Sequence, residues 1–195
     1  MLSRRNVALL APKRKGVASP ASKRNKAALS HNAALPVADH TANPPAMPAL
    51  LVTDGPFTGW KSWHARPEGR FVDGLGNIYY RDDPAGRGIE TAIETGRQHS
   101  NGLGSLHGGF IMAYVDVVAF AAIRHMLDTQ AAVTLNASTD FLGAGAVGKV
   151  LEGRGHIVRE TGKLVWVAGT LTQDGGAHLV AQWHALLRKV PRTPR

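Results

Sequence analysis

The chain has no cysteine, few aromatic residues and no long apolar run. Without cysteine there is no disulfide framework, no thiolate nucleophile and no Cys-ligated zinc. No stretch approaches the ~20 apolar residues of a membrane span, and Val7-Ala-Leu-Leu-Ala11 falls short of a secretory signal core. Acids are scarce in one place only. Residues 1–48 hold eight Lys/Arg against the single acid Asp39, giving +7, whereas the remaining 147 residues carry only +2 of the total +9. The basic balance therefore belongs to a tail rather than to a folded face. That argues against nucleic-acid binding by the body of the chain. Metal-ligand patterns are missing too: the nine histidines never fall in a spacing such as His-Glu-x-x-His.

Residues 1–48 are rich in Ala, Pro, Ser and Lys/Arg, lack aromatics and show no sustained period, and are expected to be a disordered basic extension. Three origins stay open for them: a solvated tail, a transit peptide directing the chain to an organelle, or a product of an upstream start codon with Met47 as the initiator. Residues 49–70 read as a lead-in, helical or irregular, that turns Phe57, Trp60 and Trp63 onto the domain. Residues 71–190 form the domain itself. Gly76–Arg81 and Gly88–Glu94 read as strands around an Asp82–Gly86 turn. From His107 to about Leu127 the pattern is helical, with Phe110, Ile111, Ala113, Tyr114, Val117, Val118, Ala121 and Ala122 nearly continuous. Val133, Leu135, Ala137, Thr139 and Phe141 then alternate with mostly polar neighbours. Gly148–Arg159, Lys163–Thr172 and Ala177–Lys189 follow across short turns, which makes an antiparallel meander. A long apolar helix beside such a sheet must be wrapped by it to leave water.

The most informative stretch is Asn101-Gly-Leu-Gly-Ser-Leu-His107-Gly108-Gly109, followed by that helix and its one acid, Asp116. A Gly-rich turn opening a helix offers unpaired N–H groups at the positive end of the helix dipole, a ready site for an oxyanion. Gly109, and with it Gly108, are the candidate donors. Asp116 lies seven residues on, roughly 10 Å along the axis. One helix cannot bring its own acid to its own N-terminus, but two antiparallel copies can each offer an acid to the other's glycines.

At these positions the chain resembles the hotdog-fold acyl-CoA thioesterases of the phenylacetate-pathway (PaaI-like) type. The shared pattern is Asn-x5-His-Gly-Gly-x6-Asp with Thr134 eighteen residues beyond the acid, and the likeness runs from about Phe71 to Lys189. It implies an α+β hotdog fold, a long central helix wrapped by an antiparallel sheet of about six strands. It also implies hydrolysis of an acyl- or aryl-CoA thioester by a homodimer or homotetramer, with CoA as part of the substrate and no other cofactor. The expected catalytic set is Asp116, Gly109, His107, Asn101, Gly108 and Thr134. Asp116 acts as general base or as nucleophile. His107 polarises the carbonyl or orders the turn, and Asn101 holds water or pins the loop. Thr134 matches a Ser/Thr that touches the acid or its water. The family usually places a cation after the strand ending Phe-Leu; here Phe141-Leu142 runs into Gly143-Ala-Gly-Ala146, so Arg154, Arg159 and Lys163 are the expected substitutes at the CoA phosphates. A cytoplasmic location is expected unless residues 1–48 are a transit peptide, with no membrane or nucleic-acid partner. Competing readings are a catalytically silent hotdog module that binds acyl-CoA or a partner, a hotdog hydratase or dehydratase, whose His/Asp or His/Glu pattern is not found, and a nucleic-acid binder working through the basic tail.

Overall fold

The computed structural model describes residues 49–63 and 69–191; the extension expected over 1–48 lies outside them. Among the described residues one α-helix, α1 (Gly108–Ala122), packs against a single antiparallel sheet. The strands are β1 (Leu50–Leu51), β2 (Lys61–Trp63), β3 (Ile78–Asp82), β4 (Ile89–Glu94), β5 (Ala131–Phe141), β6 (Val150–Glu160), β7 (Leu164–Gln173) and β8 (His178–Val190). Their order across the sheet is β1-β2-β3-β4-β6-β7-β8-β5. The meander β6-β7-β8 is therefore central, and β5, which follows the helix in sequence, closes one edge.

The sheet has eight strands among the described residues, against an expected six or so. The two extra come from the lead-in. Lys61–Trp63 pairs with Ile78–Tyr80 instead of forming a helix, and its aromatics explain why. Phe57 stacks on Tyr79 at 4.1 Å, Trp63 on Tyr80 at 4.2 Å, and the Arg81 guanidinium lies 4.4 Å over the Trp60 ring. These contacts hold the segment extended along β3, on both faces of it. The helix also ends earlier than its apolar run suggests: Ile123 takes φ −104°, ψ 10°, and a one-turn 3-10 helix, Arg124–Met126, follows.

The helix is buried because the sheet leaves it room. A Cβ at Gly153 would stand 2.7 Å from Val118 Cγ2, and one at Gly155 3.1 Å from Val118 Cγ1. At Gly169 it would meet Trp183 Cζ2 at 2.7 Å. Three glycines thus form a bare floor on which Val118 and the flat Trp183 ring sit. Leu151, Val167, Leu171, Val180 and Leu187 complete the inner face, and Tyr114, Val115 and Ala119 are buried against it. Tyr114 donates its hydroxyl to Thr91 Oγ1 at 2.9 Å, and burial raises its pKa well above the ordinary tyrosine value despite that bond. Alternation sends the intervening residues outward. On that outer face Glu90 accepts from Arg81 at 2.7 Å and from Arg154 at 3.2 Å.

Candidate active site

Helix α1 starts where a small ladder of backbone bonds holds the preceding loop. Asn101 Oδ1 accepts from the Leu103 N–H at 2.8 Å and the Ser105 N–H at 3.1 Å, while its Nδ2 donates to Leu106 O at 3.5 Å. Gly104, with φ +80°, makes the tight turn between them. Of the two roles open to Asn101, this geometry is the loop-pinning one. Beyond the turn, the His107 N–H donates to His99 O at 2.7 Å and the Leu106 N–H to Gly145 O at 2.9 Å.

His107 is the N-cap. Its Nδ1 accepts from the Gly109 N–H at 2.9 Å. A neutral ring that accepts at Nδ1 carries its proton at Nε2. The cap occupies the Gly109 amide, the first-choice oxyanion donor on sequence grounds. Gly108, the first helical residue, has no intrahelical acceptor for its N–H. The Phe141 ring lies beside it, 3.5 Å from where a Gly108 Cβ would stand.

Asp116 and Thr134 do come together. The Thr134 hydroxyl donates to Asp116 Oδ1 at 2.7 Å. Thr134 faces the helix from β5, where the register slips between Thr134 and Asn136. A bulge of this kind re-aims the side chains around it. Asp116 lies in a helical stripe that the chain leaves partly uncovered: Met112 is 49% exposed, and Ala113, Val117 and Phe120 are half-buried. Since Phe141 sits beside Gly108 and Thr134 beside Asp116, β5 runs antiparallel to the helix and flanks this stripe. The acid stands roughly 12 Å along the axis from Gly108. A single chain therefore brings Asp116 to Thr134 and His107 to Gly109, but not the acid to the glycines.

The three expected CoA cations are not gathered at this stripe. Arg154 is engaged with Glu90 on the outer face. Arg159 pairs in register with Trp166, on the outer face as well, and Lys163 follows it in the β6–β7 hairpin, where its carbonyl accepts from the Lys189 N–H at 2.9 Å.

Two residues that shape the site escaped the sequence reading. His99 is buried, accepts from the Gly96 N–H at 2.9 Å, bonds Leu75 O at 2.9 Å through Nε2, and stacks on Phe110 at 4.2 Å. Its partners are distant or irregular in sequence, so no pattern marks it. Gln173 is fully buried at the end of β7. A signal existed for it: the inward alternation Val165, Val167, Gly169, Leu171 ends on an amide where an apolar residue is expected.

Residues 103–179 match the family model described as Thioesterase superfamily. No curated protein sequence matches the chain. Among solved structures, S. sahachiroi AziG is 26% identical, covering 64% of this chain and 98% of its own, with a TM-score of 0.56. The E. coli PaaI protein from the phenylacetic acid degradation operon is 20% identical over 54% of this chain and 74% of its own, TM-score 0.50. A hypothetical thioesterase from Streptococcus pneumoniae, solved with coenzyme A, is 19% identical over 59% and 88%, TM-score 0.51. No helix among the described residues is long and apolar enough to cross a membrane.

Proposed function

We infer that this chain, whose residues 103–179 match the thioesterase superfamily model, is a hotdog-fold thioester hydrolase, and we propose that it hydrolyses an acyl-CoA thioester in an active site shared by two copies. The observation that carries the proposal is the position of Asp116. It is a carboxylate held by Thr134, set in an uncovered apolar stripe, and too far along its own helix to serve its own oxyanion donors. An uncovered apolar stripe beside a free strand edge is a surface that a second copy fits. A twofold, antiparallel apposition of two such helices sets each acid against the other chain's helix start. A dimer satisfies this geometry, and a tetramer of two dimers keeps it.

In this reading the thioester carbonyl lies at the Gly108 N–H, in the positive field of the helix terminus. The His107 ring supports it by capping the turn and by offering Nε2–H as a second donor. Asp116 of the partner subunit takes the proton of an attacking water or attacks the carbonyl itself. Thr134 fixes its carboxylate through the 2.7 Å bond. The tetrahedral intermediate then expels CoA as the thiolate, leaving the free acid where water attacked, or an acyl-Asp116 anhydride that a water hydrolyses to the free acid where the carboxylate attacked. The CoA nucleotide reaches outward, where Arg159 and Lys163 remain its proposed phosphate contacts; Arg154 joins them only by giving up Glu90. The relative solved with coenzyme A supports a CoA ester as the substrate class. A cytoplasmic location fits, since acyl-CoA pools are intracellular.

The test is a hydrolysis screen over alkyl-, aryl- and hydroxyacyl-CoA thioesters with the free thiol detected, run beside Asp116→Asn. Thiol release that depends on Asp116 supports the proposal. No release across the panel, or equal release by the variant, removes it.

A further inference from the structure

The buried amide of Gln173 does not belong to the reacting groups, yet both of its ends are spent on one residue. Its Oε1 accepts from the Ala146 N–H at 2.8 Å, and its Nε2 donates to Ala146 O at 2.9 Å. A side chain that reads both the N–H and the C=O of one residue replaces a neighbouring strand. Ala146 is in turn bridged to Ser105, Gly145 O accepts from the Leu106 N–H, and the Ser100–Leu106 bridge and the His107–His99 bond close the other side. The result is a miniature ladder in four layers: residues 99–100, residues 105–107, residues 145–146, and the Gln173 amide as the last rung. Gly108 follows immediately. Thr95 holds the same loop further along, donating to Lys149 O at 2.6 Å and accepting from the Gly148 N–H at 3.1 Å. Thr95 fixes where the loop ends, and Gln173 fixes its pairing edge.

We propose that Gln173 is a positioning residue for the oxyanion donor, acting through Ala146, Ser105 and Leu106 on the placement of the Gly108 N–H. The proposal rests on the reading of Gly108 as that donor. The physical reason is that a backbone donor works only where it meets the developing charge, and small misplacements are costly. An apolar residue at 173 fills the space but takes the partner from the Ala146 N–H and leaves the Ala146 C=O with only the 3.5 Å bond from Thr95 Oγ1, so this exposed rung relaxes toward water.

Gln173→Leu should lower kcat on the order of 10²-fold while KM moves little. In the same variant the Leu106 and His107 amide hydrogens should exchange faster, with β6 and β7 protected as before. Gln173→Glu is the second variant. Ionised, it accepts from the Ala146 N–H but sets a negative charge against Ala146 O; protonated, it makes both bonds. Its kcat relative to the unmodified chain should therefore recover as pH falls. Unmodified kcat and loop exchange in Gln173→Leu overturn the proposal. So does a kcat loss matched by faster exchange throughout the sheet. If Gln173→Leu does not fold, a pH-independent activity ratio for Gln173→Glu overturns it instead. A chain that cleaves no CoA thioester defeats the functional reading, whereas the exchange measurement still decides the link from Gln173 to the helix start.

Discussion

Asp116 sits among Ala113, Val117 and Phe120 in a stripe that holds no other acid, and among the described residues its one hydrogen bond comes from Thr134. A carboxylate with a single neutral donor keeps lone pairs available for a proton or a carbonyl carbon. Asp116→Asn removes both abilities and nearly preserves the shape, so the loss of hydrolysis should reach 10²-fold or more with oligomeric state unchanged by sedimentation. Thr134 separates positioning from chemistry. Thr134→Val deletes the hydroxyl at constant volume and should slow kcat on the order of tenfold, as expected for a lost bond to a charged group. Thr134→Ser, which restores the donor, should return most of that rate. Equal rates for the Val and Ser variants would show that the 2.7 Å bond has no part in turnover.

At the scale of the element, Tyr114 is where helix and sheet are joined by a buried polar bond. Removing its hydroxyl leaves Thr91 Oγ1 with only its 3.3 Å contact to Gly153 O. Tyr114→Phe should therefore cost about 1 kcal/mol near neutral pH, read by denaturant unfolding. Burial raises the Tyr114 pKa, so the folded state holds this proton more tightly than the unfolded chain does. Its contribution is complete below the unfolded value near pH 10 and is lost as pH rises above it. The gap between unmodified protein and Tyr114→Phe should then narrow above about pH 10, and a gap that widens there contradicts the assignment. The same elements show how far sequence carries. The helix and strands β3 to β8 are legible because each buries one face, and burial imposes a period of 3.6 or 2. The strands of the lead-in are not, because three residues are too few for a period and their stability comes from Tyr79 and Tyr80 on another strand. The exposed stripe was hidden for a related reason. Met112, Ala113 and Val117 are as apolar as the buried face, so composition cannot tell a surface awaiting a partner from one facing the core. At the site, the Asn-His-Gly-Gly-Asp spacing was readable, but the capping of the Gly109 amide by His107 depends on a side-chain torsion that no spacing encodes.

For the whole molecule the question is whether one chain or two make an active site, and Gly108 provides the means of asking it. It occupies the first position of the helix, where proline is favoured and its missing N–H breaks no helical bond. His107, which precedes it, has φ −71° and ψ 133°, an extended conformation compatible with a following proline. A Cβ at Gly108 would meet only the Phe141 ring, at an ordinary 3.5 Å. Gly108→Pro should therefore fold with a melting temperature close to the unmodified protein while lacking the proposed oxyanion donor. Gly108→Pro and Asp116→Asn homodimers each carry a lesion in both sites. A mixed dimer places both lesions in one site and leaves the other with an intact glycine from one chain and an intact acid from its partner. Random reassortment makes about half of the dimers mixed, each with one working site, so about a quarter of the unmodified activity should return. Differently tagged chains verify the exchange before activity is read. If verified mixed dimers remain as inactive as their parents, each chain completes its own site, and the roughly 12 Å between Gly108 and Asp116 must be closed by a movement within one chain.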